Sequence, residues 1–113
     1  ARRFSANGEV SAVSWTELAG QAAFEVVFNA TSLGHKGKVP PLTPALFARD
    51  SVCYDLNYHR ASEPLKAWCE THGQVYLDGL GMLVEQAAES FSIWTGQRPG
   101  SAAVIEYLRA GQD

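Results

Sequence analysis

Four short runs with strand character, most of them cut off by a polar or glycine-bearing turn, limit what this chain can fold into. Phe24-Glu25-Val26-Val27-Phe28 is mostly apolar and stops at Asn29, and Ser51-Val52-Cys53-Tyr54-Asp55-Leu56 and Gln74-Val75-Tyr76-Leu77 end as abruptly. Glu9-Val10-Ser11-Ala12-Val13-Ser14-Trp15 alternates polar and apolar over part of its length, the pattern of a half-exposed strand. Short apolar strands of this kind suit a parallel sheet covered on both faces. Parallel neighbours need crossover connections, and helical or loop segments lie between the runs.

Ser62-Glu63-Pro64 opens one helix, because proline tolerates the first helical turn, and Gly73 closes it. Its Leu65, Trp68 and Cys69 fall at i, i+3 and i+4. The longest helix begins near Leu80 and carries a wide apolar stripe of Leu80, Leu83, Val84, Ala87, Ala88, Phe91 and Trp94. Pro99-Gly100 breaks the chain before a last helix from about Ser101, its candidate N-cap, with Val104, Ile105 and Leu108 facing inward. Thr43 to Phe47 predicts a short helix after the Pro40-Pro41 turn. Strand alternating with helix gives an α/β layer fold. With 113 residues and no repeat or linker, residues 1–113 make one domain.

The formal charge of −3 argues against a nucleic-acid partner, which favours a basic face. No apolar run approaches the roughly 18–20 residues of a membrane-spanning helix. Ala1-Arg2-Arg3-Phe4-Ser5 leads into no apolar segment of the secretory type, so cytoplasm is the default location. Cys53 and Cys69 show neither C-x-x-C spacing nor a disulfide framework, and both are expected as reduced core residues. The only methionine is Met82, and Ala1 to Phe4 reads as the last turn of a helix closed by Asn7-Gly8. A piece of a longer chain is therefore expected, a tag remnant or a processed N-terminus being the other reading.

In open α/β sheets, ligands bind beyond the carboxyl ends of the strands. That rule selects Asn29 to Gly34, Asp55 to Tyr58 and Asp78 to Met82, which are also the segments richest in polar, glycine and turn residues. In the first, the Thr31 and Ser32 hydroxyls can bond ribose or phosphate oxygens, although an ordinary N-capping turn has the same composition. In the third, Gly79 permits a close backbone approach or a positive φ, while D-G-x-G by itself is often only a turn. Met82 and Gln86 share a helix face, and Gln86 either reaches a ligand or points to solvent. Tyr58 offers a phenol to a ligand or covers the end of the sheet. His35, His59 and His72 have no metal-ligand spacing. His35, Lys36 and Lys38 form a small basic loop beside the crevice, suited to phosphates or simply solvated. No G-x-S-x-G, P-loop or paired-carboxylate arrangement occurs.

Taken together, Asn29-Ala30-Thr31-Ser32-Leu33-Gly34, Pro40-Pro41-Leu42, Tyr54-Asp55-Leu56-Asn57-Tyr58, Asp78 through Ala88, Trp94-Thr95-Gly96 and Pro99 resemble, in order and spacing, the shikimate dehydrogenases. The similarity runs from about Phe4 to Leu108, and Asp78 to Ala88 is its most specific part. The resemblance implies a partial Rossmann-like α/β fold, a mostly parallel sheet flanked by helices and lacking the first βαβ unit. It implies the C-terminal section of an NADP-binding domain, in an enzyme that reversibly reduces 3-dehydroshikimate to shikimate by hydride transfer on the route to chorismate and the aromatic amino acids. By matching position, Leu56, Gly79 and Met82 would contact NADP, Thr31 and Ser32 would line its groove, and Tyr58 and Gln86 would reach the small-molecule substrate.

The departures from the family pattern also carry expectations. Leu56 stands where many relatives have methionine, a volume-conserving change. Lys38 replaces an acidic residue often found in the G-x-x-G-d-x-P-P loop. The family's catalytic lysine and aspartate, its glycine-rich phosphate loop and its N-R-T-x-x-R segment are not found in this sequence, so the chain alone is expected to be inactive. With the strand order 3-2-1-4-5-6, a strand at Val10 to Ser14 would have no neighbour, and rearranged pairing or self-association through unpaired edges would follow. A quinate/shikimate dehydrogenase paralogue and a noncatalytic binding fragment are the alternatives, and the choice between NADP and NAD stays open.

Overall fold

The computed structural model describes residues 8–111. Among them, three parallel strands form one sheet in the order β1 (Phe24–Asn29), β2 (Phe47–Asp55), β3 (Val75–Leu77), so chain neighbours are also sheet neighbours. Helix α2 (Glu63–Thr71) makes the crossover from β2 to β3. Pro64 sits in its first turn, and Gly73, at φ 67, follows its C-cap in the left-handed region that glycine adopts freely. The apolar spacing of α2 works as expected: Leu65 and Cys69 are buried with Leu46, Phe47 and Cys53, and Trp68 packs at their edge. Val27, Cys53 and Tyr76 are register partners across this covered face.

Among the described residues, the opposite face is largely open. Val26, Val52 and Val75 form one row across it, and Phe28, Tyr54 and Leu77 the next. Phe28 is 65% exposed and Val26, Val75 and Leu77 about half exposed. The strands are therefore flanked by helices, but coverage of both faces, expected from their apolar composition, is met on one. Helix α3 (Leu80–Thr95) buries only Leu80, Val84 and Ala88 of its expected stripe, and Trp94 is 79% exposed. Three short strands offer a sixteen-residue helix too little surface to bury an arc this wide.

Two boundaries move. β2 begins at Phe47, before the expected Ser51, because Phe24 pairs with Phe47 and Val26 with Val52. The intervening β2 residues bulge outward, with Asp50 at φ 61 and the Arg49 and Asp50 side chains almost fully exposed. The expected strand at Glu9 to Trp15 does not form. Residues 9–13 have no regular structure and are exposed, and Ser14 caps a short helix, α1 (Trp15–Leu18). The Glu17 N–H donates to the Ser14 hydroxyl at 3.3 Å and the Ser14 N–H to the Glu17 carboxylate at 2.8 Å. A strand without a neighbour leaves its backbone groups unpaired, whereas this S-x-x-E box satisfies the Ser14 and Glu17 N–H groups locally. Among the described residues, the unpaired edge expected at Val10 to Ser14 is absent and the outer edges of β1 and β3 are the open ones. The helical turn expected at Ala1 to Phe4 lies outside the described residues.

Pro44–Leu46 forms a 3₁₀ turn where a short helix is expected. Helix α4 (Ala102–Ala110) has Ser101 at its N-cap position, but the Ser101 hydroxyl donates to Glu85 of α3 and makes no cap bond. Ile105 and Leu108 are half-buried, while Val104, expected to face inward, is exposed. Arg98 pairs with Glu85 and Glu89, tying the α3–α4 turn back onto α3. No helix among the described residues is long and apolar enough to cross a membrane.

Both cysteines are free and fully buried. Burial is the main reason that the Cys53 thiol is pushed up to about 12. In the unfolded chain the same thiol ionises near its ordinary value of 9.0. The folded state thus holds more protons than the unfolded one between those values, and folding stability falls as pH rises from about 9 towards 12. The expected outcome is that Cys53 and Cys69 resist a thiol reagent at pH 8 in native protein and both react in denaturant. Prompt native labelling of either would contradict this packing.

Candidate functional site

The carboxyl ends of the three strands are joined by one buried carboxylate. Asp55, the last residue of β2, is fully buried. Its Oδ1 accepts from the Asn29 side-chain amide of β1 at 2.9 Å, from the Asn57 N–H at 3.0 Å and from the Asn57 side-chain amide at 2.8 Å. Its Oδ2 accepts from the Tyr76 hydroxyl of β3 at 3.2 Å. A buried charge persists only when its lone pairs are filled in this way. Burial above all, with the Asp55 carboxylate beside it, holds the Tyr76 phenol well above its usual range.

From this centre the bonds reach outward to the loops. The Asn29 side-chain oxygen accepts from the Thr31 N–H at 3.1 Å and the Thr31 hydroxyl at 2.7 Å. The Asn57 amide also donates to the Thr31 carbonyl at 3.1 Å, and the Gly79 N–H donates to the Asn57 carbonyl at 2.9 Å. The Leu80 N–H, at the start of α3, donates to the Asp78 carboxylate at 3.2 Å. The three segments chosen from sequence are thus bonded to one another.

Gly79 is needed here, for a reason other than a positive φ or a ligand. Its φ is −81, and a Cβ built on it would lie 2.3 Å from the Leu56 carbonyl oxygen. The missing side chain lets the start of α3 close against the end of β2. Gly34 does the same one loop away, where a Cβ would lie 1.9 Å from the Ala61 carbonyl oxygen. That contact seats the 3₁₀ turn Leu33–Lys36 against the turn His59–Ala61.

The remaining residues are distributed unevenly. Leu56 and Tyr58 line a cleft of about 510 Å³ together with His35, Asn57, His59, Arg60 and Ala61. Thr31 lines a separate, mainly apolar cavity of about 220 Å³ beside β1, with Trp15, Phe28 and Leu42 among its walls. Ser32 is exposed next to it. Met82 and Gln86 lie exposed on the first two turns of α3, and neither lines the cleft that holds Leu56 and Tyr58. Among the described residues, no group of three or more His, Cys, Asp or Glu could hold a metal ion. Sequence reasoning missed the joint role of Asn29, Asp55, Asn57 and Tyr76. Polar side chains ending two adjacent apolar strands were the available signal.

An open parallel sheet with its polar loops joined beyond the strand ends defines a protein of the Rossmann-like α/β class. Residues 79–109 match the family model described as the shikimate 5'-dehydrogenase C-terminal domain. The chain is 50% identical over 107 residues to a shikimate dehydrogenase (NADP(+)) of Alkalilimnicola ehrlichii, covering 94% of this chain and 39% of that protein. It is 41% identical over 110 residues to the enzyme of the same name from Aeromonas salmonicida, covering 96% and 40% respectively. Among solved structures, shikimate 5-dehydrogenase of Thermus thermophilus, in complex with shikimate, superposes with a TM-score of 0.57 at 25% identity, over 88% of this chain and 36% of that one. Ligand-free 5-ketofructose reductase of a Gluconobacter strain gives 0.58 at 29% identity, over 76% and 32%. The chain is similar over nearly all of its length to the shikimate dehydrogenases, and it spans about 40% of the length of the curated relatives it matches.

Replacing Asp55 by alanine leaves Asn29, Asn57 and Tyr76 without their shared acceptor, and a loss of about 3–5 kcal/mol in urea unfolding is expected. Gly79→Ala is expected to cost about 1–3 kcal/mol through backbone overlap. Gly81→Ala, which meets nothing within 4 Å, is expected to be neutral or to gain up to about 1 kcal/mol. Equal effects at the two glycines would refute the close-approach argument.

Proposed function

We propose that residues 1–113 are the C-terminal section of the nucleotide-binding domain of an NADP-dependent shikimate dehydrogenase, which reversibly reduces 3-dehydroshikimate to shikimate. The observation that carries this reading is the 50% identity across 94% of the chain to a relative bearing that name. The bonded strand ends support it, because a crevice of this kind is where open α/β sheets bind ligands.

The residues present suit the ring end of the cofactor. Leu56 lines the roughly 510 Å³ cleft and Met82 is exposed near the start of α3, outside that cleft, and each offers an apolar side chain to a flat ring. NADPH, when bound, supplies the hydride. Thr31 and Ser32 border the cofactor groove with their hydroxyls. Asn29 accepts from the Thr31 hydroxyl and Asn57 donates to the Thr31 carbonyl, so both groups are held in fixed positions. Gly79 contributes backbone to the cofactor side and fixes Leu56 from behind. Tyr58 and Gln86 present a phenol and an amide to the substrate, both able to donate and accept hydrogen bonds to ring hydroxyls. No residue of this chain is assigned the proton transfer that accompanies hydride transfer.

In an active enzyme containing this chain, Gln86→Ala is expected to raise the shikimate KM roughly tenfold, the scale of one lost hydrogen bond, with the NADP KM within about twofold. An unchanged shikimate KM would remove Gln86 from the substrate site. The 113-residue chain by itself is expected to give no NADP-linked shikimate oxidation in a spectrophotometric assay, and measurable turnover would overturn that expectation.

A further inference from the structure

Helix α3 begins without a side-chain cap of its own. Its N-cap position is Gly79, which has no hydroxyl or carboxylate to offer and whose contact with the Leu56 carbonyl excludes a larger residue. Asp78, one residue earlier, fills that role: its Oδ1 accepts from the Leu80 N–H at 3.2 Å. A carboxylate at a helix start is favoured by the unpaired N–H groups and the helix dipole. The same oxygen accepts from the Arg109 guanidinium at 3.4 Å, across 31 residues of chain. Arg109 stands in the last turn of α4 and is, among the described residues, the only cation paired with Asp78.

The other end of α4 is also fastened to α3. The Ser101 hydroxyl, at the N-cap position of α4, donates to one oxygen of the Glu85 carboxylate, and Arg98 donates to the other at 3.1 Å. Asp78 and Glu85 lie about two helical turns apart, as do Ser101 and Arg109, so each pair spans roughly 10–12 Å. Matching spans in reversed order make α4 an antiparallel brace along the first two turns of α3. Val84 and Ala88, buried residues of α3, share an apolar groove with Val104 of α4. Met82 lies within the braced stretch and Gln86 directly after it, both exposed, so the direction of this stretch decides where the two side chains are presented.

We infer that α4 is a splint for the start of α3, and that Arg109 is a positioning residue: through Asp78 it sets the placement of the helix that presents Met82 and Gln86. This rests on the roles proposed above for those two residues. The pair counts for more than most surface ion pairs, because the Asp78 side chain is only 23% exposed and its oxygen is already bonded to the Leu80 N–H. The Arg109 side chain is more than half exposed, so replacing it leaves the core intact.

Two measurements on Arg109→Gln test this together. In the full chain, amide hydrogen exchange at residues 83–86 is expected to quicken on the order of twofold to fivefold. That difference from wild type is expected to fade at about 1 M salt, as an ion pair requires and a packing defect does not. In an active enzyme containing this chain, the shikimate KM is expected to rise by a similar factor with kcat within about twofold. Arg109→Lys, which keeps the charge, is expected to recover most of both, and Arg109→Gln to add nothing in an Asp78→Asn background. Unchanged exchange at residues 83–86, or a full further effect in the Asp78→Asn background, would overturn the inference. Faster exchange with an unchanged shikimate KM would overturn it too, and the Gln86→Ala enzyme then separates the two readings. A raised KM there leaves the proposed substrate role standing, and an unchanged one removes that role as well.

Discussion

The fold turns on a carboxylate taken out of water. Asp55 is fully buried at the end of the central strand, and it is tolerated because Asn29, Asn57 and Tyr76 together give it four donors. These donors come from β1, from the loop after β2 and from β3, so satisfying one charge fixes the relative positions of all three strand ends. In parallel sheets the carboxyl ends are where loops diverge and where ligands enter. Binding those ends together at the level of side chains makes the loops beyond them an extension of the core.

Glycine completes what the carboxylate begins. Hydrogen bonds set direction, but the Leu56 carbonyl and the Ala61 carbonyl can be approached as closely as they are only by residues without a Cβ. Gly79 thereby closes α3 onto β2, and Gly34 closes one loop onto another. A motif whose glycines suggest space for a ligand uses one of them, Gly79, to pack backbone on backbone, while Gly81 has open space around it. The distinction matters for reading such motifs, since the same letter serves a contact in one position and a helix start in the other.

The distribution of apolar surface follows from the size of the sheet. α2 covers one face and forms a core with Cys53 and Phe47, while Val26, Phe28, Val75 and Leu77 stand half or more exposed on the other. β1 has the composition of a strand buried on both faces and the position of an edge strand. α3 likewise has more apolar residues than it buries. Both elements carry a pattern suited to a larger layer than the described residues supply.

Much of this was legible in the sequence. The apolar runs at Phe24 and Ser51 and the proline-to-glycine span of α2 are local signals, and local chemistry sufficed to place them. So did the grouping of Thr31, Leu56, Tyr58 and Gly79 at strand ends, because strand direction fixes which end of a parallel sheet carries the loops. The run at Glu9 failed because alternation announces a strand only if a neighbour exists to pair with it, and the Ser14–Glu17 capping box, equally visible, satisfied the backbone first. The sequence by itself determined three of the four expected strands, the helices α2, α3 and α4, and the parallel α/β class. Only the tertiary structure decided that Asp55 is the common acceptor, that Gly79 touches Leu56, and that His35 and Arg60 share a cleft. Those are contacts between residues far apart in the chain, and no periodicity or composition specifies which distant groups will meet.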